Sequence, residues 1–139
     1  MISQTAEYAL RAIVYMAMQP EIPMTSRQIA DRTMVPAGYM SKVLQALGRT
    51  NLVFSRRGLN GGFLLTRSAK EITVLDVINA VDPIKRITTC PLGLESHGEE
   101  LCPLHRRLDD AIAMAEKAYA GSTIAELADT STKTKPLCE

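Results

Sequence analysis

Leu52-Val-Phe-Ser-Arg-Arg-Gly-Leu-Asn-Gly-Gly-Phe-Leu-Leu65 places two short apolar segments on either side of a glycine- and asparagine-rich cluster. Leu52–Arg57 and Phe63–Thr66 suit strands. Gly58–Gly62 suits the tight connection between them, because Asn60 and the glycines tolerate the positive φ that such turns demand. The stretch therefore predicts a β-hairpin with Arg56 and Arg57 where its turn begins. Its meaning depends on what precedes it. Pro36 suits the first turn of a helix that continues to about Arg49, with Met40, Val43, Leu44 and Leu47 on the apolar side. Ala37, Gly38, Ser41, Lys42, Gln45 and Arg49 fall on the other side. A short break at Met34 and Val35 separates this helix from one over about Ser26–Thr33, opened by Thr25 and Gln28 at capping-box spacing. Further back, Ala6, Ala9, Leu10, Ile13, Val14 and Ala17 recur at three- and four-residue steps. They predict a helix over Ser3–Met18, which Pro20 and Pro23 end. Helix, helix, short turn, helix, hairpin is the order of a winged helix-turn-helix.

Downstream, Thr73 and Asp76 cap a fourth helix through Val74, Val77, Ile78 and Val81, which Asp82-Pro83 stops. Residues 84–102 read as a loop carrying Cys90, Ser96, His97 and Cys102. From Pro103 to Ala120, Leu104, Leu108, Ala111, Ile112, Ala115 and Ala118 mark a long amphipathic helix that Gly121 terminates. Thr123 and Glu126 cap a last short helix, and the polar tail from Thr130 is expected to be flexible. The fold class is mainly α with a small β-hairpin wing. Its parts are a winged helix-turn-helix over 1–67, a linking helix over 68–83, a cysteine-containing loop over 84–102, the long and short terminal helices over 103–129, and a tail over 130–139. The stripe on the long helix suits packing within one chain and between two chains equally well.

The 139 residues carry a net charge of +1, but its distribution says more. Residues 1–67 hold eight Lys/Arg against Glu7, Glu21 and Asp31, a net +5, whereas residues 68–139 hold eight against twelve Asp/Glu, a net −4. A basic segment joined to an acidic one suggests that the first touches a polyanion, although functionless charge segregation leaves the same counts. No apolar run approaches the roughly 20 residues needed to span a bilayer. Glu7 and Arg11 interrupt the first apolar stretch, so no secretion leader is read there and a cytoplasmic location is expected. Three cysteines, Cys90, Cys102 and Cys138, make a structural disulfide framework improbable in such a chain. An enzyme built on Cys90, Cys102, His97 and His105 would need a recognisable ligand or nucleophile arrangement. No Cys-x-x-Cys, His-Glu-x-x-His, phosphate-binding glycine loop or Ser/His/Asp setting is present.

A duplex reader needs cations to position it on phosphates and short side chains on a helix to read base edges. Ser26, Gln28, Tyr39, Ser41, Lys42, Gln45, Arg56, Arg57 and Asn60 form the candidate DNA-facing set. Arg57 is the preferred residue for the minor groove, where narrowing concentrates negative potential. Two packed helices with a charged hairpin edge would share much of this pattern. A more specific signal is that Glu7-Tyr-Ala-Leu-Arg11, Tyr39-Met-Ser-Lys-Val-Leu-Gln-Ala-Leu47, the hairpin stretch Leu52–Leu65 and Ile72-Thr-Val-Leu-Asp-Val-Ile-Asn-Ala-Val81 together resemble the IscR/NsrR/CymR-type winged-helix regulators of iron-sulfur, nitric oxide and cysteine metabolism. The likeness runs from about Thr5 to Ala128. It implies recognition-helix contacts from Tyr39 and Lys42, a wing arginine at Arg57, and a homodimer on a pseudo-palindromic operator. Leu104, Leu108, Ile112 and Ala115 would lie in the dimer interface. Ser41 stands where some members carry an acidic reader, so the operator sequence does not transfer.

The resemblance also implies a sensor. Cluster-binding members carry three cysteines in the region corresponding to 90–105. This chain matches the outer two, with Ser96 near the place of the middle one and His97 beside it. His105 sits where some relatives supply a histidine, and Glu7 where others supply a carboxylate from the partner subunit. An iron-sulfur cluster on Cys90, Cys102, His105 and the partner's Glu7 is one reading. The others are a cluster-free disulfide switch between Cys90 and Cys102, a regulator that works by binding a partner protein, and ordinary loop cysteines. Cys138 reads as incidental.

Overall fold

The computed structural model describes residues 2–95, 100–131, 134, 136 and 137. Ser96, His97 and Cys138 lie outside the described residues. Helix α1 spans Gln4–Met18. It begins where the Ser3 hydroxyl accepts from the Ala6 N–H at 3.1 Å, satisfying one of the donors a helix start leaves open. Its alanines Ala6, Ala9 and Ala12 are fully buried, letting neighbouring helices approach closely, and Ile13 and Met16 fill the space beyond them. Helix α2 (Ser26–Thr33) opens on both arms of the expected capping box, Gln28 N–H to Thr25 Oγ1 and Thr25 N–H to Gln28 Oε1. Met34 then takes a left-handed conformation, φ 56°, that reverses the chain into α3 (Ala37–Arg49). Pro36 flanks α3 as its cap instead of occupying its first turn, since its extended ψ of 135° is not helical. Met40, Val43, Leu44 and Leu47 are all buried, so the apolar face of α3 lies where its periodicity puts it.

Strands β1 (Val53–Arg56) and β2 (Gly62–Leu65) pair antiparallel, with Val53 opposite Leu65 and Arg56 opposite Gly62. Positive φ falls on Gly58 and Gly62, two of the residues expected to tolerate it, and not on Asn60. Gly62 is required for a second reason: a Cβ there would stand 2.6 Å from the backbone of Met24. That closeness exists because Met24 and Phe63 exchange backbone hydrogen bonds of 3.3 and 2.7 Å, which hook the wing onto the segment before α2.

A 3-10 turn over Ala69–Glu71, not anticipated from sequence, leads into α4 (Val74–Val81), capped reciprocally by Thr73 and Asp76. Helices α5 (Pro103–Ala120) and α6 (Ile124–Leu127) complete the chain. Val74 N–H donates to Ser122 O and Ile124 N–H to Ile72 O, and these bonds bring α6 back against the start of α4. The core draws on α1 to α4 together with Met24, Val35, Leu52, Val53 of β1, Ile72 and Ile124. Of α5, only His105 is buried. Among the described residues no helix is long and apolar enough to cross a membrane.

Candidate nucleic-acid interface and cysteine segment

Burial of one side of α3 leaves its other side to solvent: Ser41, Lys42 and Gln45 are exposed, and Tyr39 is 55% exposed. The start of α2 is fixed against this side, because Ser26 Oγ lies 3.3 Å from Ser41 Oγ. Two residues earlier, Met24 holds β2. The beginning of α2, the polar side of α3 and the wing are thus tied to one another through backbone and short side chains. Arg56, Arg57 and Asn60 are exposed on the wing. Among the described residues, Lys42, Arg56 and Arg57 make no ion pair, so their charge is available to a ligand. Gln28 is exposed, but its amide oxygen is committed to the cap, which leaves its NH2 group for an acceptor.

Tyr39 is braced from below. Its ring meets the Tyr8 ring edge-on, with centroids 6.0 Å apart, and the Arg11 guanidinium stands 5.4 Å over the Tyr8 ring. Arg11 also donates to Thr33 O at 3.1 Å, placing a cation at the carbonyl end of α2 where the helix dipole favours it. It holds both oxygens of Glu7, at 3.0 and 2.9 Å. Neither Tyr8 nor Arg11 was singled out as a site residue from sequence. The four-residue spacing of Glu7 and Arg11 announces their pairing, but nothing local announces the contact between Tyr8 and Tyr39.

In the acidic half, Cys102 caps α5 and Pro103 begins it. One helical turn on, His105 Nδ1 lies 3.2 Å from Cys102 Sγ, with the proton on sulfur or nitrogen according to tautomer. Cys90 and Cys102 are both half-buried, and Cys90 begins a turn closed by the Gly93 N–H on its carbonyl at 3.0 Å. Among the described residues no three His, Cys, Asp or Glu side chains gather as a metal site would require. Two donors converge, Cys102 and His105; the carboxylate at Glu7, expected to act across a dimer, is paired with Arg11 in its own chain. Within one chain, the described residues do not fit the four-ligand set of an iron-sulfur cluster.

Beside this segment runs an apolar groove of about 510 Å³, lined by Ile78, Ile84 and Ile87 on one side and Leu108, Ile112 and Ala115 of α5 on the other. Leu104 is 62% exposed and Leu108 47%. Between the groove residues Lys85 and Ile87, Arg86 grips Asp109 of α5 through two bonds of 2.8 and 2.7 Å while Ile87 N–H donates to the same carboxylate at 2.9 Å. The Arg86 bonds, and secondarily the Ile87 N–H, hold the Asp109 carboxyl down at about 2. Arg86 is correspondingly raised.

A helix-turn-helix whose second helix is buried on one side and polar on the other, with a cationic hairpin tied beside it, defines a winged-helix DNA-binding regulator of transcription. Residues 2–130 match the Rrf2 family, described as iron-dependent transcriptional regulators, and the chain belongs to that family. It is a transcription regulator and not an enzyme. Its fold is similar to that of CymR (YrzC), the global cysteine regulator of B. subtilis, at 21% identity and a TM-score of 0.77 over 95% of this chain and 98% of that one. It is also similar to T. potens IscR, at 21% identity and a TM-score of 0.76 over 91% and 85% of the two chains. A candidate HTH-type transcriptional regulator of Aquifex aeolicus (strain VF5) is 26% identical over 128 residues, 90% of this chain and 89% of its own.

Proposed function

We propose that the chain acts as a homodimer that grips a pseudo-palindromic operator with α3 and the wing, and that its affinity is set at the segment from Cys90 to His105. The observation that carries the DNA reading is the division of α3: one side buried, the other polar and joined by Lys42, Arg56 and Arg57, which make no ion pair among the described residues. Tyr39, Ser41, Lys42 and Gln45 face the major groove, with Ser26 and Gln28 at its edge. Arg56, Arg57 and Asn60 belong to the wing, with Arg57 in the minor groove. The dimer reading is supported by α5, an 18-residue helix with one buried side chain. A second copy of its stripe, Leu104, Leu108, Ile112 and Ala115, covers the groove apolar-to-apolar. Two-fold symmetry then sets half-sites about one helical turn apart.

For the signal, the contact between Cys102 and His105 favours a thiol-based reading. Oxidation of the Cys90 and Cys102 thiols to a disulfide gives up two electrons and two protons, which a peroxide takes up as two waters. The family's iron-dependent description favours the second reading, a cluster whose ligands Cys90, Cys102, His105 and the partner's Glu7 assemble only in the dimer. An absorption spectrum after anaerobic purification, with iron and sulfide analysis, separates the two. Colourless, iron-free protein that resists reconstitution yet changes DNA affinity on oxidation supports the thiol switch; stoichiometric iron and sulfide overturn it. Light scattering tests the dimer, and enrichment from a randomised duplex pool tests the DNA reading. A monomer at micromolar concentration, or a pool that yields no enriched sequence, overturns the corresponding part.

A further inference from the structure

The tip of the wing carries Leu59, fully exposed at 106% and more so than any other large apolar side chain among the described residues. Single exposed leucines are common on protein surfaces, but this one occupies an unusual place. The turn around it is fixed by backbone alone: Gly58 takes φ +114° and the Gly61 N–H closes onto Gly58 O at 3.0 Å. The Leu59 side chain plays no part in holding that turn. Its neighbours in sequence are Arg56, Arg57 and Asn60, all exposed. The wing therefore presents a tight turn with one apolar point set among cations and an amide.

The partner that matches this combination has negative charge at its rim and apolar surface within reach between the charges. Duplex DNA offers that in its minor groove, where phosphates line the edges and deoxyribose forms the walls. The groove, about 6 Å wide, admits a hairpin tip but not a helix. We propose that Leu59 is a contact residue for operator binding: it passes between the sugar walls beside Arg57, presses into a base step and partly unstacks it, and so bends the duplex, as apolar wedges do. The inference rests on the DNA-binding reading and adds a contact that is not electrostatic.

The probe is a duplex enriched from a randomised pool by the unmodified dimer, followed by fluorescence anisotropy across a salt series and circular-permutation gel shifts for the bend. Leu59→Ser is expected to weaken binding by on the order of tenfold at every salt concentration, because an apolar contact is lost without any change in counterion release. The salt slope stays as in the unmodified protein, the bend shrinks, and Leu59→Met restores both affinity and bend. Thermal melting should be unchanged in either variant, since the tip packs on nothing. Leu59→Ser that binds and bends like the unmodified protein overturns the wedge while leaving the DNA reading intact. A Met variant as weak as the Ser variant also overturns it. Failure of the unmodified protein to enrich any duplex overturns both.

Discussion

Replacing Lys42 by alanine tests the assignment of α3 as the reading helix. The side chain is exposed and lies among the polar residues of α3, and no carboxylate among the described residues competes for it. On the proposed dimer, one phosphate contact per protomer makes two. Each contact adds roughly 0.9 to the slope of log affinity against log salt, so the variant's slope should be shallower by about 1.8. Between ~50 and ~200 mM salt, log concentration changes by ~0.6, so the variant should lose roughly tenfold less affinity across that range. Anisotropy titrations on the enriched duplex at four or five salt concentrations measure this directly. Arg57→Ala should lower the slope similarly and in addition weaken discrimination between A·T and G·C steps beneath the wing. Arg11→Ala provides a contrast. Arg11 is already paired with Glu7, so its loss should disturb α2 and Tyr39 without the same change in counterion release. Slopes and affinities unchanged in both Lys42→Ala and Arg57→Ala would refute the placement of α3 and the wing on DNA.

Three further outcomes follow from the geometry. Met34 holds φ 56° at 84% exposure, so Met34→Gly relieves backbone strain without losing burial and should raise stability by roughly 1 kcal/mol in urea melts. Asp109, held at about 2 by Arg86, contributes stability that is present above the unfolded carboxylate value near ~4 and is lost as pH falls toward 2; in Asp109→Asn the decline in melting temperature over that window should be shallower. Leu108→Glu sets a carboxylate on the α5 stripe at a position already 47% exposed in the single chain. It should leave the monomer folded by circular dichroism while light scattering reports dissociation and operator affinity falls.

Much of the fold was legible because its signals are local. Thr25 with Gln28, and Thr73 with Asp76, announce helix starts through residues three apart, and both reciprocal caps form. Met40, Val43, Leu44 and Leu47 announce the inner side of α3, and the glycines announce the hairpin. What stayed hidden depends on contacts distant in sequence. Nothing near Met24 predicts its pairing with Phe63, and nothing near Arg86 predicts Asp109. The left-handed turn at Met34 has no glycine to mark it, and the turn at the wing places its positive φ on Gly58 and Gly62 although Asn60 would also tolerate it. For the cysteine segment the position is mixed. The three-residue spacing from Cys102 to His105 at a helix start makes their contact readable, whereas the placement of Cys90 depends on a loop with no periodic signal.

That loop is anchored to α5 at both ends, which bears on how a signal at Cys90 or Cys102 reaches DNA. Before Cys90, Arg86 and the Ile87 N–H hold Asp109, about a third of the way along α5. After it, Cys102 is the cap residue of α5 itself. A change in the segment's span, whether by a disulfide or by a ligand, therefore acts between the start of α5 and a point nearly two turns along it. On the dimer reading, α5 is also the element through which the two recognition helices are spaced, and half-sites one helical turn apart leave little tolerance in that spacing. On the proposed function, the clamp at Arg86 would link the cysteine segment to the reading helices. Asp109→Asn should bind DNA in the unstimulated state and respond less to oxidation, whereas a full oxidation response in that variant would place the coupling elsewhere.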